Sequence, residues 1–278
     1  MKNTSERHII NSEFQNEAEY YIHLVHIATY EFASKYVKGK RVLDYGCGSG
    51  YGSYILSSLA DNVTGVDISI EAVDFAKINY SANNLNFKHT AEISNEKFDI
   101  ITSFQVIEHV SNENEYVKKL SALLNIDGII LISTPDREYR LFNYIQKPWN
   151  IFHLKEYSKI SLNNLLIKNF DNVEIYKIGS NSDFASAEIS RTKKQRIITL
   201  FATLFIYPDF LRIFLLNSQV AFYRLIRKLR ITKRTIELSD SKNFTTKHSI
   251  KEIEINECLK FPTELLAICS NAKLTIKQ

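Results

Sequence analysis

The strongest structural signal in this chain is Val42-Leu43-Asp44-Tyr45-Gly46-Cys47-Gly48-Ser49-Gly50-Tyr51-Gly52. The chain has only 8 glycines, and four of them fall within residues 46–52. An apolar pair leads into an acid, a glycine-rich turn and a helical pattern, which predicts a buried strand, a tight loop and a helix start. Because glycine has no Cβ, such a loop turns sharply and lets a ligand approach the backbone. The N–H groups at the start of the following helix favour an anionic group.

The spacing of the glycines excludes two common phosphate-binding loops. Counted from Gly46, the third glycine of the dinucleotide fingerprint G-x-G-x-x-G would fall on Tyr51. Counted from Gly48, it would fall on Ser53, so the fingerprint fails in both registers. The Gly-Lys-Ser/Thr loop fails as well, because no lysine lies between residues 41 and 77. The pattern that remains is D-x-G-x-G-x-G.

Composition places the chain among globular proteins. Its 278 residues are 45% hydrophobic and 24% charged, which suits one large domain or one domain with an insertion. The net charge of +4 is too small to indicate nucleic acid, and none is expected as a partner. Three scattered cysteines without zinc spacing favour a reducing cytosol. Residues 1–16 are polar and lack an apolar signal core, so we expect a cytoplasmic location.

Strand and helix patterns alternate along the chain. A helix is predicted at 17–38, with Gly39 as its C-cap. Further helices are predicted at 114–124 and 156–168, and strands at 62–67, 85–89, 98–104, 128–133, 173–178 and 265–269. This order predicts a parallel sheet with helices on both faces.

Asp67 ends the second predicted strand, 23 residues after Asp44. In doubly wound folds a carboxylate at this point accepts the two hydroxyl protons of a nucleotide ribose. The other interpretation is that Asp67 caps the helix that begins near Ser69, and both roles can coexist.

Four blocks of this sequence together resemble the class I S-adenosylmethionine (SAM) methyltransferases. They are the glycine-rich stretch at 42–52, VDIS at 66–69, FDIITSFQVIEHV at 98–110 and DGIILISTP at 127–135. The resemblance covers roughly residues 17–180 and 245–272. It implies an α/β Rossmann-like sheet of seven strands in the order 3-2-1-4-5-7-6, with a helical insertion before the last strand. It also implies SAM as the cofactor, with S-adenosylhomocysteine as the product.

The resemblance assigns cofactor roles to ten positions of this chain. The glycines would line the methionine part, Asp44 would orient the loop or the amino group, and Asp67 would hold the ribose. The 90–92 loop would flank the adenine, and the end of the fourth strand would lie near the sulfonium. The ten positions are Asp44, Gly46, Gly48, Gly50, Asp67, Ile68, Thr90, Ala91, Phe104 and Gln105. The family usually has Asp where Thr90 stands and often Glu where Gln105 stands.

His109 and His153 are the candidate catalytic residues, because both follow strands on the expected cleft side. An alcohol acceptor must lose a proton, and histidine titrates near neutral pH. The alternatives are that His109 caps or packs the helix from Val110, and that His153 stabilises its loop with Trp149 and Phe152.

A further alternative uses both histidines. Some relatives hold a divalent metal with E-x-x-E-H and a later His, and here the pattern is Gln105-x-x-Glu108-His109 with His153. Glu108, His109 and His153 remain as three side chains of types that commonly bind metals. Since one carboxylate is lost, no metal is expected.

The chain is predicted to divide into four parts. These are an N-terminal arm and helix at 1–38, a SAM-binding core at 39–179, a helical insertion at 180–245, and the final strand of the core at 246–278. Residues 197–216 are largely apolar and are split by Pro208, and residues 224–234 are basic without an acid. The insertion is therefore expected to be a lid over the cleft, a homodimer surface or a peripheral membrane contact.

The expected function is O-methylation of a sugar or glycan-type acceptor. Glu6-Arg7, the His26-x-x-x-Tyr30 block and residues 150–157 resemble a bacterial subgroup associated with sugar, surface-glycan and secondary-metabolite methylation. Three alternatives stay open: N-methylation of an amino-sugar, methylation of a lipid-like or quinone precursor, and a SAM-binding pseudo-enzyme. The intact glycine loop argues against the pseudo-enzyme.

Overall fold

The computed structural model describes residues 14, 16–94, 96–143, 145–231 and 244–271, and its centre is an eight-stranded mixed sheet. The strands are β1 (Arg41–Tyr45), β2 (Asn62–Asp67), β3 (Leu85–His89), β4 (Phe98–Phe104), β5 (Leu124–Pro135), β6 (Asn172–Ser180), β7 (Glu254–Asn256) and β8 (Phe261–Ser270). The helices are α1 (Glu17–Ala33), α2 (Tyr51–Ser57), α3 (Ile70–Asn79), α4 (Glu113–Leu123), α5 (Arg137–Arg140), α6 (Lys159–Leu166), α7 (Ser186–Thr199), α8 (Asp209–Ile231) and α9 (Phe244–Lys247). The Glu6-Arg7 block and most of the predicted N-terminal arm lie outside the described residues.

The strand order is β3-β2-β1-β4-β5-β8-β6-β7. The first five strands pair in parallel, and β8 runs antiparallel between β5 and β6. The Rossmann-like α/β class is therefore confirmed. The predicted count of seven strands is wrong by one edge strand, β7, which pairs with residues 177–179 of β6. Three residues are too few to show the alternation by which a strand is recognised.

Burial explains why β1 and β4 lie at the centre. In β1 the side chains of Val42 and Leu43 are fully buried, and Ile101 of β4 is equally inaccessible. Strands buried on both faces are typical of a parallel sheet with helices on each side. One face packs against α1 and α2 through residues such as Leu56, and the other packs against α4 and α6 through Leu120 and others.

Three predicted helix boundaries are wrong. The helix α1 ends at Ala33 with Ser34 as its C-cap, and Gly39 lies in a separate turn, with φ +68°, that leads into β1. The helix predicted at 114–124 is present within one residue as α4, but its cap is Asn112, so the alternative in which a helix starts at Val110 and is capped by His109 is wrong.

The third correction concerns the helix predicted at 156–168, which is shorter at both ends. In the structure α6 begins at Lys159, because Ser158 caps it by accepting a hydrogen bond from Ser161 N at 3.2 Å. Residue 156 therefore lies before the helix, where its carboxylate contacts Arg140 and His153.

The region 180–245 contains the helices α7 and α8 with a short 3₁₀ turn at Phe201–Thr203 between them. Pro208 precedes α8 and its carbonyl accepts from Leu211 N, so the predicted break falls there. Buried Gln146 ties the loop after α5 to this region through Thr199 and Thr203. Within the described residues, the helices are too short or too polar to cross a membrane. Residues 232–243 of the predicted insertion lie outside the description.

Candidate cofactor and acceptor site

The glycine loop between β1 and α2 is held by glycines with positive φ. Gly46, Gly48 and Gly50 have φ of +88°, +54° and +91°. A Cβ on Gly46 would lie 2.3 Å from Val106 Cγ2, and one on Gly50 would lie 2.6 Å from Ala76 Cβ. Gly48 differs, because no atom lies within 4 Å of its Cβ position. Its backbone therefore borders open space, and this suits the close approach of a ligand.

Asp44 supports this loop from inside the protein. Its carboxylate is fully buried and accepts hydrogen bonds from Ser53 Oγ at 2.6 Å, Thr102 Oγ1 at 2.9 Å and Tyr30 OH at 3.2 Å. Burial raises the pKa of Asp44 to about 6, although the three hydroxyl donors oppose this shift. Of its two expected roles, this geometry favours orienting the loop.

Asp67 lies at the end of β2 beside the loop. Its Oδ2 accepts from Gly48 N at 3.0 Å and its Oδ1 accepts from Ser69 N at 2.8 Å. The cap of α3 is Ser69, whose Oγ accepts from Ala72 N at 3.3 Å, so Asp67 is not the helix cap. Each carboxylate oxygen retains acceptor capacity for a further donor.

The nucleoside side of the expected cofactor fits this end of the sheet. Ile68 follows the acid directly and is 79% exposed. His89 at the end of β3 accepts from Ala91 N at its Nδ1, so its Nε2 carries the proton that is donated to Ile68 O at 2.9 Å. This hydrogen bond joins half-exposed Thr90 and exposed Ala91 to Ile68 in one rim. The structure thus places Asp67, expected to hold the ribose, next to the exposed apolar side chain of Ile68, and the cofactor roles of both residues remain predictions. The sequence interpretation missed His89.

The end of β4 closes the site on its other side. Phe104 is buried and its ring meets Tyr30 edge-on at 4.9 Å between centroids. Gln105 has φ +57°, the one positive φ among described residues other than glycine. Its Nε2 donates to Glu264 Oε2 at 2.9 Å and to Ser133 Oγ at 3.3 Å.

Glu264 is a site residue that sequence reasoning missed. It lies in β8 opposite Pro135, at the carboxyl end of β5. Burial raises its pKa to about 8, although the charge of Arg140 opposes the shift. At neutral pH the carboxyl group is therefore largely protonated. A single acid within the apolar strand sequence FPTELLAICS was the available signal.

The structure brings His109 and His153 together, although 44 residues separate them. Their ring centroids are 4.8 Å apart in an edge-on arrangement. His109 lies in a 3₁₀ turn, Ile107–His109, and the loop of His153 folds onto it because Leu154 N donates to Glu108 O at 2.8 Å. The packing interpretation of His153 with Trp149 does not exclude a chemical role, because the ring also faces polar groups.

His153 and Glu156 form a buried pair. The Glu156 Oε1 lies 2.9 Å from His153 Nδ1 and 3.1 Å from Arg140 Nε. Burial alone would raise the pKa of Glu156, but the charge of Arg140 and the His153 hydrogen bond outweigh burial and lower it. Burial lowers the pKa of His153, although Glu156 acts in the opposite direction. A neutral imidazole that donates from Nδ1 to a carboxylate has its lone pair on Nε2.

Three side chains of this cluster also form a possible ligand set for a cation. Glu108, His109 and His153 each place one ligand atom within 4.8 Å of the others. Glu108 Oε2 accepts from Thr134 Oγ1 at 3.0 Å, whereas buried Oε1 has no hydrogen-bond partner. The Nδ1 atom of His109 lies 3.1 Å from Phe152 O, and such second contacts orient metal-binding imidazoles. One carboxylate and two imidazoles suit a divalent transition metal.

Comparison with known proteins agrees with this geometry. A family model described as "Methyltransferase domain" matches residues 17–174. The chain is 36% identical over 118 residues to a ubiquinone biosynthesis O-methyltransferase of Glaesserella parasuis, covering 38% of this chain and 50% of the relative. It is 29% identical over 143 residues to a probable S-adenosylmethionine-dependent methyltransferase of Mycolicibacterium smegmatis, covering 51% of this chain and 55% of the relative. The chain thus spans about half the length of these curated relatives.

Two solved structures resemble the whole fold. The YcgJ protein of Bacillus subtilis is 17% identical, with a TM-score of 0.50 over 89% of this chain and 100% of that one. The cyclase SpnF is 14% identical, with a TM-score of 0.51 over 90% of this chain and 81% of that one. At these identities the likeness concerns the fold alone.

Proposed function

The chain belongs to the class I SAM-dependent methyltransferases, as its motif blocks predict, and from this we propose that it methylates a hydroxyl oxygen of a sugar or glycan-type acceptor. The observation that carries this proposal is the His153–Glu156 pair, whose 2.9 Å contact lies next to His109 in the turn after β4. A hydroxyl acceptor needs a group that takes its proton, whereas an amine only has to arrive neutral.

The cofactor would be held by the loop and rim described above, chiefly Asp67, Gly48 and Ile68. When bound, SAM supplies an electrophilic methyl group on a positively charged sulfur. The groups that remove the proton of the acceptor hydroxyl are side chains of this protein. Arg140 keeps Glu156 ionised, Glu156 holds the Nδ1 proton of His153, and Nε2 of His153 accepts the proton of the hydroxyl. General-base assistance of this kind contributes about 10²–10⁴-fold.

Polar groups at the carboxyl ends of β4 and β5 favour an acceptor with several hydroxyls. Half-buried Gln105 donates to buried Glu264 and Ser133, and buried Thr134 donates to Glu108. A protonated Glu264 can donate a hydrogen bond as well as accept one. Such polar surroundings match the donors and acceptors of a carbohydrate better than the face of an apolar ring.

A phenolic quinone precursor is the second candidate acceptor. It is favoured by the similarity to the ubiquinone biosynthesis O-methyltransferase of Glaesserella parasuis. The two acceptor classes are separated by a transfer assay with methyl-labelled SAM over nucleotide sugars, glycans and catechol-type quinone precursors. Label in the carbohydrates supports the proposal. Label in the phenols alone, or in amino groups alone, contradicts it.

A divalent cation on Glu108, His109 and His153 is the second candidate means of activating the hydroxyl. The orphaned buried Glu108 Oε1 is the observation that favours it. A cation there would lower the pKa of a bound hydroxyl. Metal content and transfer rate are measured before and after chelation. Full activity in the metal-free protein supports His153 as the base, and loss that zinc, manganese or magnesium restores supports the cation.

A further inference from the structure

Six large apolar side chains form an exposed surface on the α7–α8 region. They are Ile145, Phe201, Phe205, Ile206, Phe210 and Phe214, and each is between 54% and 82% exposed. We call these residues the aromatic surface. With roughly 150–250 Å² per aromatic side chain, their exposed apolar area is on the order of 600 Å². This is at the upper end of what a monomer normally exposes, and such patches usually bind something.

Backbone contacts join the segments that carry these side chains, and α8 packs against the turn at Phe201–Thr203. Phe205 N donates to Ile145 O at 2.9 Å, and residues 146 and 204 form an antiparallel bridge. The ring of Phe201 meets that of Tyr207 at 6.3 Å between centroids. Phe210 and Phe214 are one turn apart on α8 and so share a face.

Charge indicates what this surface binds. From residue 210 to residue 236 the chain carries seven basic residues and no acid. One of them, Arg212, is buried, and its Nη1 donates to Pro148 O at 2.6 Å. Four others, Arg224, Arg227, Lys228 and Arg230, follow the exposed phenylalanines within α8, and we call residues 224–230 the basic segment. The remaining two, Lys233 and Arg234, lie outside the described residues. Exposed aromatic side chains followed by a basic segment are typical of helices that lie in the plane of an anionic membrane surface.

A second copy of the chain is a poorer occupant. A two-fold contact through α8 would bring the same basic segment of two copies to one interface, and like charges oppose such a contact. A bilayer with acidic headgroups matches both the apolar and the cationic parts. We therefore propose that the aromatic surface and the basic segment dock this protein on an anionic lipid surface, with α8 lying along it.

Docking there would bring the loop of His153 close to the bilayer. Arg212 of α8 holds the loop of His153 through the carbonyls of Pro148 and Asn150. An acceptor carried on a lipid or dissolved in the bilayer would thus reach the site without leaving the membrane surface. The docking itself does not depend on which acceptor is used.

Vesicle co-sedimentation tests the proposal with the full chain. We expect the protein to pellet with phosphatidylcholine vesicles that contain phosphatidylglycerol and to stay in solution with phosphatidylcholine alone. F210S/F214S should weaken binding about tenfold for each phenylalanine. R227E/K228E should weaken it by at least about fivefold for each charge, and added salt should weaken it as well. Both phenylalanines are more than half exposed, so circular dichroism should show an unchanged fold.

The matched control is I78S/I126S, which removes two side chains of 82% and 86% exposure on other parts of the surface. This variant should bind vesicles like the wild type. No pelleting of the wild type, equal pelleting with uncharged vesicles, or equal loss in the control would overturn the proposal. So would sedimentation velocity showing that F210S/F214S splits a dimer that does not bind vesicles.

Discussion

Replacing Glu264 with glutamine should stabilise the protein, and should do so more strongly as the pH rises. The folded-state pKa of this buried carboxyl is raised to about 8 from an ordinary 4.5. Between these two values the unfolded chain has released the proton that the folded chain retains. Unfolding therefore releases a proton, and the free energy of unfolding of the wild type falls with rising pH until about pH 8.

The size of the effect follows from the difference between the two pKa values. Each pH unit within that range removes about 1.4 kcal/mol from the stability of the wild type. Between pH 6 and pH 9 the loss amounts to about 3 kcal/mol, and E264Q, which cannot ionise, should not show it. The glutamine keeps a carbonyl oxygen as the acceptor for Gln105 Nε2, so the 2.9 Å hydrogen bond can be retained.

Urea unfolding of wild type and E264Q at pH 6, 7.5 and 9 measures this directly. The difference in free energy between the two proteins should grow by about 3 kcal/mol, or about 6–12 °C in Tm. The effect of pH on the other titratable groups cancels in this difference, because wild type and E264Q share those groups. Exposed Glu257 provides the control, and E257Q should follow the wild type. A difference that stays constant or shrinks as the pH rises would refute a neutral Glu264 in the cleft.

Two further predictions concern the loop and the catalytic pair. G52A should lower the free energy of unfolding by about 2–3 kcal/mol, because its Cβ would lie 1.9 Å from Tyr30 Cζ and would force α1 away from α2. In G48A the new Cβ would have no atom within 4 Å, so this variant should lose only about 1 kcal/mol, which comes from the positive φ of Gly48. Equal losses in urea melts of both variants would contradict the packing assigned to Gly52. H153Q should slow methyl transfer about 10²–10⁴-fold while its affinity for SAM, measured by calorimetry, stays within about twofold. A parallel loss of SAM affinity would show that His153 belongs to the cofactor site instead.

The glycine loop and Asp67 could be predicted because both are recognised from the spacing of residues close together in the sequence. Gly46, Gly48 and Gly50 take positive φ in one short turn, and Asp67 follows a strand that pairs in parallel with β1. A parallel neighbour places its end beside the loop, so the contact between Asp67 and Gly48 follows from the order of the strands. Predicting this contact therefore requires no knowledge of the packing between distant segments.

The acceptor side was less predictable because it is assembled from distant segments. His109 and His153 meet only because the chain after β5 folds back and is held by Leu154 N and by the buried Arg212. The partner Glu156 was assigned to a helix that in fact begins three residues later. Glu264 comes from the other end of the chain and faces Gln105 because β8 inserts between β5 and β6.

The wrong end of α1 has a similar cause. Val37 lies beyond the helix and is nevertheless fully buried, so the apolar periodicity continues after the helical backbone has stopped at Ala33. A pattern of burial alone cannot distinguish a helix from a turn that packs against the same core.

If Asp67 and the glycine loop hold SAM, titration calorimetry of SAM with wild type and D67A should show it. Removing a carboxylate that accepts two ribose hydroxyls should weaken binding by roughly 3 kcal/mol, which is more than about 100-fold. NADH should show no comparable binding to the wild type, and melting curves should show that D67A stays folded. Unchanged SAM affinity in folded D67A, or no SAM binding by the wild type, would contradict the account.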